Sequence, residues 1–313
     1  MEKIQKVYLI GLGAIGSAYA AKMEEAEPGL VKVIVDQKRY AAYRQQPVSV
    51  NGVPYRFALV TPEAAAEKAD LLLIAVKGYD LAEAIQAIKP FVGKETIILS
   101  LLNGITSEEE LGRVYGPEKL LYSFVVATDA TREGRTTRYS TLGRIVFGER
   151  ENKVYSAKVQ KVKELFDRTG VPYEIPGDML RELWWKFMMN VGVNQVSAVL
   201  KAPYGVFQRV QAARDLMAMA CREVIRIAGQ RGINLTEDDI DLCLRTIDQL
   251  APEGKTSMLQ DVEAGRRTEV ESFAGTVTAL GEKYGVATPV NACLKLMITT
   301  LEQTYPRPEK GNG

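Results

Sequence analysis

The run Gly11-Leu-Gly-Ala-Ile-Gly16 follows the short apolar segment Val7-Tyr-Leu-Ile10 and opens a helical stretch from Ala14 to Glu25. Three glycines at this spacing between a strand and a helix have few uses. The first permits a tight turn, the second admits a pyrophosphate to the backbone, and the third lets helix pack on strand. The helix N-terminus then offers free amides to the anion. A second strand, Leu30 to Val35, ends at Asp36, about twenty residues past the glycines, where a carboxylate can accept hydrogen bonds from a ribose diol. The candidate dinucleotide contacts are therefore Gly11, Leu12, Gly13, Ala14, Ile15, Gly16 and Asp36. A 2′-phosphate would meet like charge at Asp36, at roughly 4 kcal/mol per charge pair before screening for a separation of about 4 Å and an effective dielectric near 20. Asp36 alone thus favours NAD(H). Lys38 and Arg39 follow it, either as solvated loop residues or as groups able to turn towards a phosphate.

The first half of the chain continues in alternation. Further strands are expected at Leu71 to Val76, Thr96 to Leu102, and as a pair at Leu121 to Thr128 and Arg144 to Phe147. The helix Asp80 to Ile88 makes a right-handed crossover between the first two of these. Val48 to Val60, broken by Asn51-Gly52 and Pro54, reads as a small hairpin insertion. Lys158 to Arg168 is an amphipathic helix, and Gly170 to Gly177 a last strand with a punctuated break. The boundary is placed there, giving an α/β domain with a Rossmann-type parallel sheet over 1–177 and a helical domain over 178–313. The helical period predicts Arg181 to Leu200, Val210 to Arg231, Glu237 to Leu250, one long helix from Ser257 to Tyr284, and Pro289 to Thr304. Ser257 with Gln260 resembles a capping box for the long helix, and a disordered tail is expected from Tyr305 onward.

With 313 residues, 46% of them hydrophobic, there is material for two cores of roughly 150 residues each. Forty Lys and Arg against thirty-nine Asp and Glu leave a net charge of +1, so no global field points to nucleic acid or an acidic membrane. No run is long enough to span a bilayer. Cys221, Cys243 and Cys293 are widely spaced in a chain without histidine, which argues against a zinc site and for reduced core thiols in a cytoplasmic protein.

Lys186 lies in an apolar run, Leu183-Trp-Trp-Lys-Phe-Met-Met-Asn190, and on a helix it shares a face with Asn190 and Asn194. An ammonium taken from water without partners costs several kcal/mol, so Lys186 must either reach solvent or serve a purpose. Burial lowers a lysine pKa towards neutrality, which suits it to proton transfer where histidine is absent. Lys77 and Asn103 stand at the carboxyl ends of the third and fourth strands, in the crevice where open α/β sheets bind ligands. Taken singly, Lys77 also reads as a solvent-facing loop residue and Asn103 as a turn residue before Gly104. Ser257 by itself fits a helix cap, and Glu269 by itself fits an ion pair with Arg266 or another neighbour on a solvated face.

These residues in this order resemble the ketopantoate reductase family, which reduces 2-dehydropantoate to pantoate with a nicotinamide cofactor. The resemblance covers nearly the whole chain. It is carried by the glycine run, Val76-Lys77, Asn103-Gly104, Trp185-Lys186 with Asn190 and Asn194, Ser257-Met-Leu-Gln-Asp261, Arg267-Thr-Glu269 and Gly285-Val-Ala-Thr-Pro289-Val-Asn291. It implies a helical domain of the 6-phosphogluconate dehydrogenase type and a substrate held in a cleft between the domains. It further implies Lys186 as general acid and Glu269 as partner of the substrate hydroxyl. Asn190, Asn194 and Ser257 would bind substrate, and Lys77 and Asn103 would position substrate and nicotinamide. The implied cofactor is NADP(H), the pathway pantothenate and coenzyme A synthesis, and the assembly a monomer or a homodimer through the helical domain. Asp36 departs from the family, whose members often carry a basic residue there, and keeps NAD(H) in view. The alternatives are a reductase of another branched 2-oxo acid, or a nicotinamide-binding redox sensor without turnover.

Overall fold

Val7, Tyr8 and Leu9 are buried in succession, as they must be in a strand covered on both faces. The computed structural model describes residues 3–63 and 67–305, and the chain divides into two units, Met1–Leu183 and Trp184–Gly313. The first unit opens with β1 (Val7–Ile10), α1 (Ala14–Ala26), β2 (Val31–Ile34) and α2 (Gln37–Gln45). A hairpin follows, β3 (Val48–Val50) and β4 (Val53–Tyr55), turning at Asn51 and Gly52, both at positive φ. Next come β5 (Ala58–Val60), β6 (Leu71–Ile74), α3 (Leu81–Ile88), β7 (Ile97–Ser100) and α4 (Ser107–Tyr115). The unit continues through β8 (Leu120–Val126), β9 (Thr131–Glu133), β10 (Thr136–Arg138), β11 (Arg144–Gly148), α5 (Ala157–Thr169) and β12 (Tyr173–Glu174).

Eight of these strands form one sheet in the order β12-β11-β8-β7-β6-β1-β2-β5. Neighbours are parallel throughout except β8 and β11. The chain leaves β1 in one direction and returns to β6 on its other side, so the switch point of the sheet lies between β1 and β6. The hairpin expected over 48–60 is shorter than predicted, because Ala58–Val60 pairs with β2 and extends the main sheet. The hairpin itself joins β9 and β10 in a second sheet, β4-β3-β10-β9. That sheet is tied to the glycine-run helix by a buried hydrogen bond of 2.7 Å between the hydroxyls of Ser17 and Thr137. The helix α2 buries no residue and so carries no apolar period to read; Asp36 at its N-cap specifies it instead.

The second unit is helical among its described residues: α6 (Met179–Leu200, begun in the first unit), α7 (Tyr204–Arg209), α8 (Gln211–Gln230), α9 (Glu237–Asp248), α10 (Ser257–Glu263), α11 (Ala274–Tyr284) and α12 (Pro289–Gln303). The single helix predicted from Ser257 to Tyr284 is broken. Gly265 takes φ +62°, the Arg266 amide turns back to the Asp261 carbonyl, and a 3₁₀ turn spans Val270–Ser272 before α11. Thr256, not Ser257, caps α10, its hydroxyl accepting from the Leu259 amide. Cys221 and Cys243 are core thiols as expected, whereas Cys293 on α12 is exposed. Gly192 lets α6 approach α8 closely, since a Cβ there would lie 2.5 Å from the Cys221 sulfur. No helix among the described residues is long and apolar enough to cross a membrane. Of the tail expected from Tyr305 onward, 306–313 lie outside the described residues.

One carboxylate of the first unit is deeply buried. Glu108, 6% exposed, accepts a hydrogen bond of 2.9 Å from the Ser107 hydroxyl, which itself accepts one of 2.7 Å from Ser100 at the end of β7. Burial pushes the Glu108 carboxyl up to about 7, against the lowering effect of the Ser107 bond. The unfolded chain ionises near 4.5, so the native state binds the extra proton between these values and loses stability as pH rises through them. At about 1.4 kcal/mol per pH unit the loss comes to roughly 3 kcal/mol. We expect Glu108→Gln to flatten the decline in denaturant-derived stability between pH 4.5 and 7.

Candidate active site

The glycine run divides sharply by what surrounds each position. Gly11 has φ +100°, and a Cβ on it would meet the Ala75 carbonyl at 2.5 Å. A Cβ on Gly16 would overlap the Gly11 oxygen. Both glycines are therefore required by the turn and by helix–strand contact. Gly13 is not: its φ is −74°, and its Cβ would find only the Ala75 oxygen, at 3.9 Å. A glycine that packing does not demand, at the N-cap of α1, leaves space for an anion against the free amides. Leu12, Ala14 and Ile15 complete the turn, and the Arg132 guanidinium from β9 donates to the Leu12 carbonyl.

Asp36 stands exposed past the end of β2, with its carboxylate accepting from the Arg39 amide at 2.6 Å and from the Arg39 guanidinium at 2.9 Å. Arg39 is thus folded back onto Asp36. Lys77 lies three residues past β6, half-buried, and its carbonyl accepts from Asp80 at 2.9 Å to close a 3₁₀ turn. Asn103 lies three residues past β7, also half-buried, and precedes Gly104 at φ +103°. The structure therefore brings the glycine run, Lys77 and Asn103 to the carboxyl edge of one sheet, at and beside its switch point.

In the second unit Lys186, Asn190 and Asn194 follow one face of α6. Asn190 and Asn194 are 4% and 6% exposed, Lys186 is half-buried, and Trp184, Phe187 and Met188 on the same helix are fully packed. Desolvation pulls the Lys186 ammonium down to about 8, and the Cys243 thiol on α9 opposes this only weakly. One position upstream, the indole N–H of Trp185 is buried with no acceptor. Ser257 is exposed at the first position of α10. Glu269, 6% exposed, precedes the 3₁₀ turn, and its neighbour Thr268 donates both amide and hydroxyl to Glu302 at 2.6 Å.

Ser257 and Glu269 thus stand on different elements, not on the one helix expected, and each is tied to α6 beside it. The Thr256 hydroxyl donates to Ser197 at 3.1 Å, and the Ala274 amide donates to Gln195 at 3.1 Å. Arg266, the expected ion-pair partner of Glu269, pairs with Asp261 at 2.9 Å. Gln195 and Ser197 carry no signal in the sequence, because a polar residue inside an apolar helix declares neither its partner nor its direction. Among the described residues no cluster of His, Cys, Asp or Glu could hold a metal ion.

Two family models match, described as ketopantoate reductase PanE/ApbA over residues 7–152 and ketopantoate reductase PanE/ApbA C terminal over residues 178–302. The chain belongs to the ketopantoate reductase family. It is therefore a nicotinamide-dependent oxidoreductase of that family. It is 27% identical over 312 residues to the 2-dehydropantoate 2-reductase of Aquifex aeolicus, covering 96% of this chain and 97% of that one. Among solved structures it resembles a PanE/ApbA family ketopantoate reductase from Ralstonia eutropha, with TM-score 0.82 and 25% identity over 95% of this chain and 98% of that one. It shares its fold with a D-mandelate dehydrogenase solved with NADH and anilino(oxo)acetate, with TM-score 0.87 and 22% identity over 96% and 99% of the two chains.

The contrast within the glycine run is testable. Gly13→Ala should leave the thermal midpoint within about 2 °C of the parent yet weaken binding of the reduced nicotinamide cofactor about tenfold, roughly 1.4 kcal/mol by fluorescence titration. Gly16→Ala should instead destabilise the fold by about 1–3 kcal/mol, the cost of overpacking.

Proposed function

We propose that this ketopantoate reductase family member reduces 2-dehydropantoate to pantoate, in coenzyme A precursor synthesis in the cytoplasm, with NADH as reductant. The observation that carries the reading is the desolvated Lys186 ammonium, brought to about 8 on a helix face that also presents Asn190 and Asn194. When bound, the nicotinamide supplies a hydride to the keto carbon. The carbonyl electron pair moves to oxygen, where Lys186 stabilises the growing charge and delivers its proton, leaving a neutral amine that regains a proton from water. A pKa near 8 keeps the group charged at neutral pH while making it a far better acid than an ordinary lysine.

The remaining roles are those the family resemblance implies, and the chemistry of each residue fits its role. Asn190 and Asn194 have amides that donate to the substrate carboxylate and accept from its hydroxyl, Ser257 offers a hydroxyl at the rim, and Glu269 accepts from the substrate hydroxyl. Lys77 and Asn103 position the nicotinamide and substrate, and residues 1–177 and 178–313 act as cofactor and substrate domains. The choice of NADH rests on Asp36, whose carboxylate is set as the α2 cap and would repel a 2′-phosphate. The fold shared with a D-mandelate dehydrogenase solved with NADH supports that choice. It also favours a second reading, reduction of another 2-oxo acid with a bulky side chain. A redox sensor has no need of the proton donor. A homodimer through the helical unit is part of the proposal, supported by Leu296 and Met297 on α12, 71% and 47% exposed.

Initial rates with NADH and NADPH on 2-dehydropantoate, 3,3-dimethyl-2-oxobutanoate and phenylglyoxylate test these points together. The highest kcat/KM is expected for 2-dehydropantoate with NADH; equal rates on the compound lacking the hydroxyl would remove the substrate assignment, and preference for NADPH the cofactor assignment. For the acid, kcat/KM should fall as pH rises through about 8, where free Lys186 loses its proton. Lys186→Met should retain the fold while lowering turnover by about 10²–10⁴ at every pH.

A further inference from the structure

Pro289-Val-Asn291 belongs to the motif at the start of α12, and nothing in the reaction uses it. Its surroundings show a chain of buried hydrogen bonds. Glu223 on α8, 1% exposed, accepts from the Val290 amide at 2.8 Å, the Asn291 amide at 3.0 Å and the Asn291 side-chain Nδ2 at 2.7 Å. The carboxylate thus serves the first turn of α12, where orphan donors and the helix dipole favour negative charge. Asn291 Oδ1 then accepts from Gln195 Nε2 at 3.0 Å, and Gln195 Oε1 accepts from the Ala274 amide at 3.1 Å. Gln195 and Asn291 are both fully buried.

The polarity of this chain has one solution. An ionised carboxylate only accepts, so it draws the Asn291 Nδ2 towards itself and turns Oδ1 towards Gln195. That oxygen in turn demands the Gln195 Nε2, which also reaches the Val191 carbonyl at 2.8 Å, and leaves Gln195 Oε1 facing Ala274. Gln195 directly follows Asn194 on α6. Ala274 directly follows Phe273, whose amide donates to the Glu269 carbonyl at 3.2 Å. The far end of the chain therefore holds the segment that carries Glu269 against the helix that carries Lys186, Asn190 and Asn194.

We propose that Gln195 is a positioning residue for the reductase site, setting the distance between the α6 face and Glu269, with Glu223 and Asn291 fixing the direction of its amide. The inference rests on the functional reading of Lys186 and Glu269. An error of about 1 Å in such a constellation lowers turnover about a hundredfold, so a buried amide far from the reacting atoms has leverage on rate.

The test is a double-mutant cycle on the full-length protein, with Gln195→Met, which keeps length and loses the bonds, and Glu269→Gln. Gln195→Met should lower kcat on the preferred 2-oxo acid at least tenfold while the Kd for NADH stays within twofold. Combined with Glu269→Gln, the loss should fall short of the product of the single losses by fivefold or more, because both act on one placement. A purely structural Gln195 would lower the thermal midpoint and leave kcat per folded molecule unchanged, or multiply independently with Glu269→Gln; either result overturns the proposal. If Gln195→Met does not fold, Glu223→Gln enters the same cycle, and failure of both to fold assigns the chain to stability and overturns the proposal. A wild-type protein inactive on every 2-oxo acid overturns the functional reading and this inference together. An active wild type with independent effects overturns this inference alone.

Discussion

An ammonium taken out of water costs several kcal/mol unless solvent or a partner reaches it, and Lys186 meets that cost on a helix whose Trp184, Phe187 and Met188 are fully buried. Desolvation by burial depresses the Lys186 pKa. A lysine held this way is poised to release a proton, because the same surroundings that penalise its charge favour the neutral product of donation. Along the same helix Asn190 and Asn194 are almost wholly buried, and Glu269 is buried at the start of a 3₁₀ turn rather than on a free helix surface. Rigid placement would serve the proposed proton donation, which requires the acid within hydrogen-bond reach of the keto oxygen.

The nucleotide-binding half meets a different constraint, close approach of backbone to backbone. Gly11 and Gly16 exist because β1, α1 and the strand ending before Ala75 touch at distances no side chain permits. Gly13 satisfies no such need, so its lack of a side chain leaves room for a ligand. Asp36 serves local folding, since one carboxylate caps α2 and holds Arg39, and the proposed contact with a ribose would fall on the same group.

Much of this is legible in the order of residues. The glycine run with Asp36 identifies the sheet and its ligand edge, and the spacing of Lys186, Asn190 and Asn194 identifies the helix face. The breaks are not legible. Ser257 to Tyr284 has apolar residues at helical spacing, yet Gly265 at positive φ and the Asp261–Arg266 pair interrupt it. Periodicity reports which residues face a core, and two short helices around a turn can present the same faces as one long helix. Ala58–Val60 reads as part of a hairpin because its true partner, β2, is remote in sequence. Cys293 reads as a core thiol, and its exposure follows from which side of α12 packs against α8 and α11.

Residue type and short spacing along the chain specify local chemistry: where backbone must lack side chains, where a charge sits in apolar company, and which carboxylate ends the second strand. Short-range sterics and solvation act on these features regardless of the rest of the chain. Which buried polar groups meet is settled instead in three dimensions. Glu223, Asn291, Gln195 and Ala274 come from four helices, and the direction of each amide depends on the next. A hydrogen bond needs its donor within about 3 Å of its acceptor, and no pattern along the chain encodes that distance.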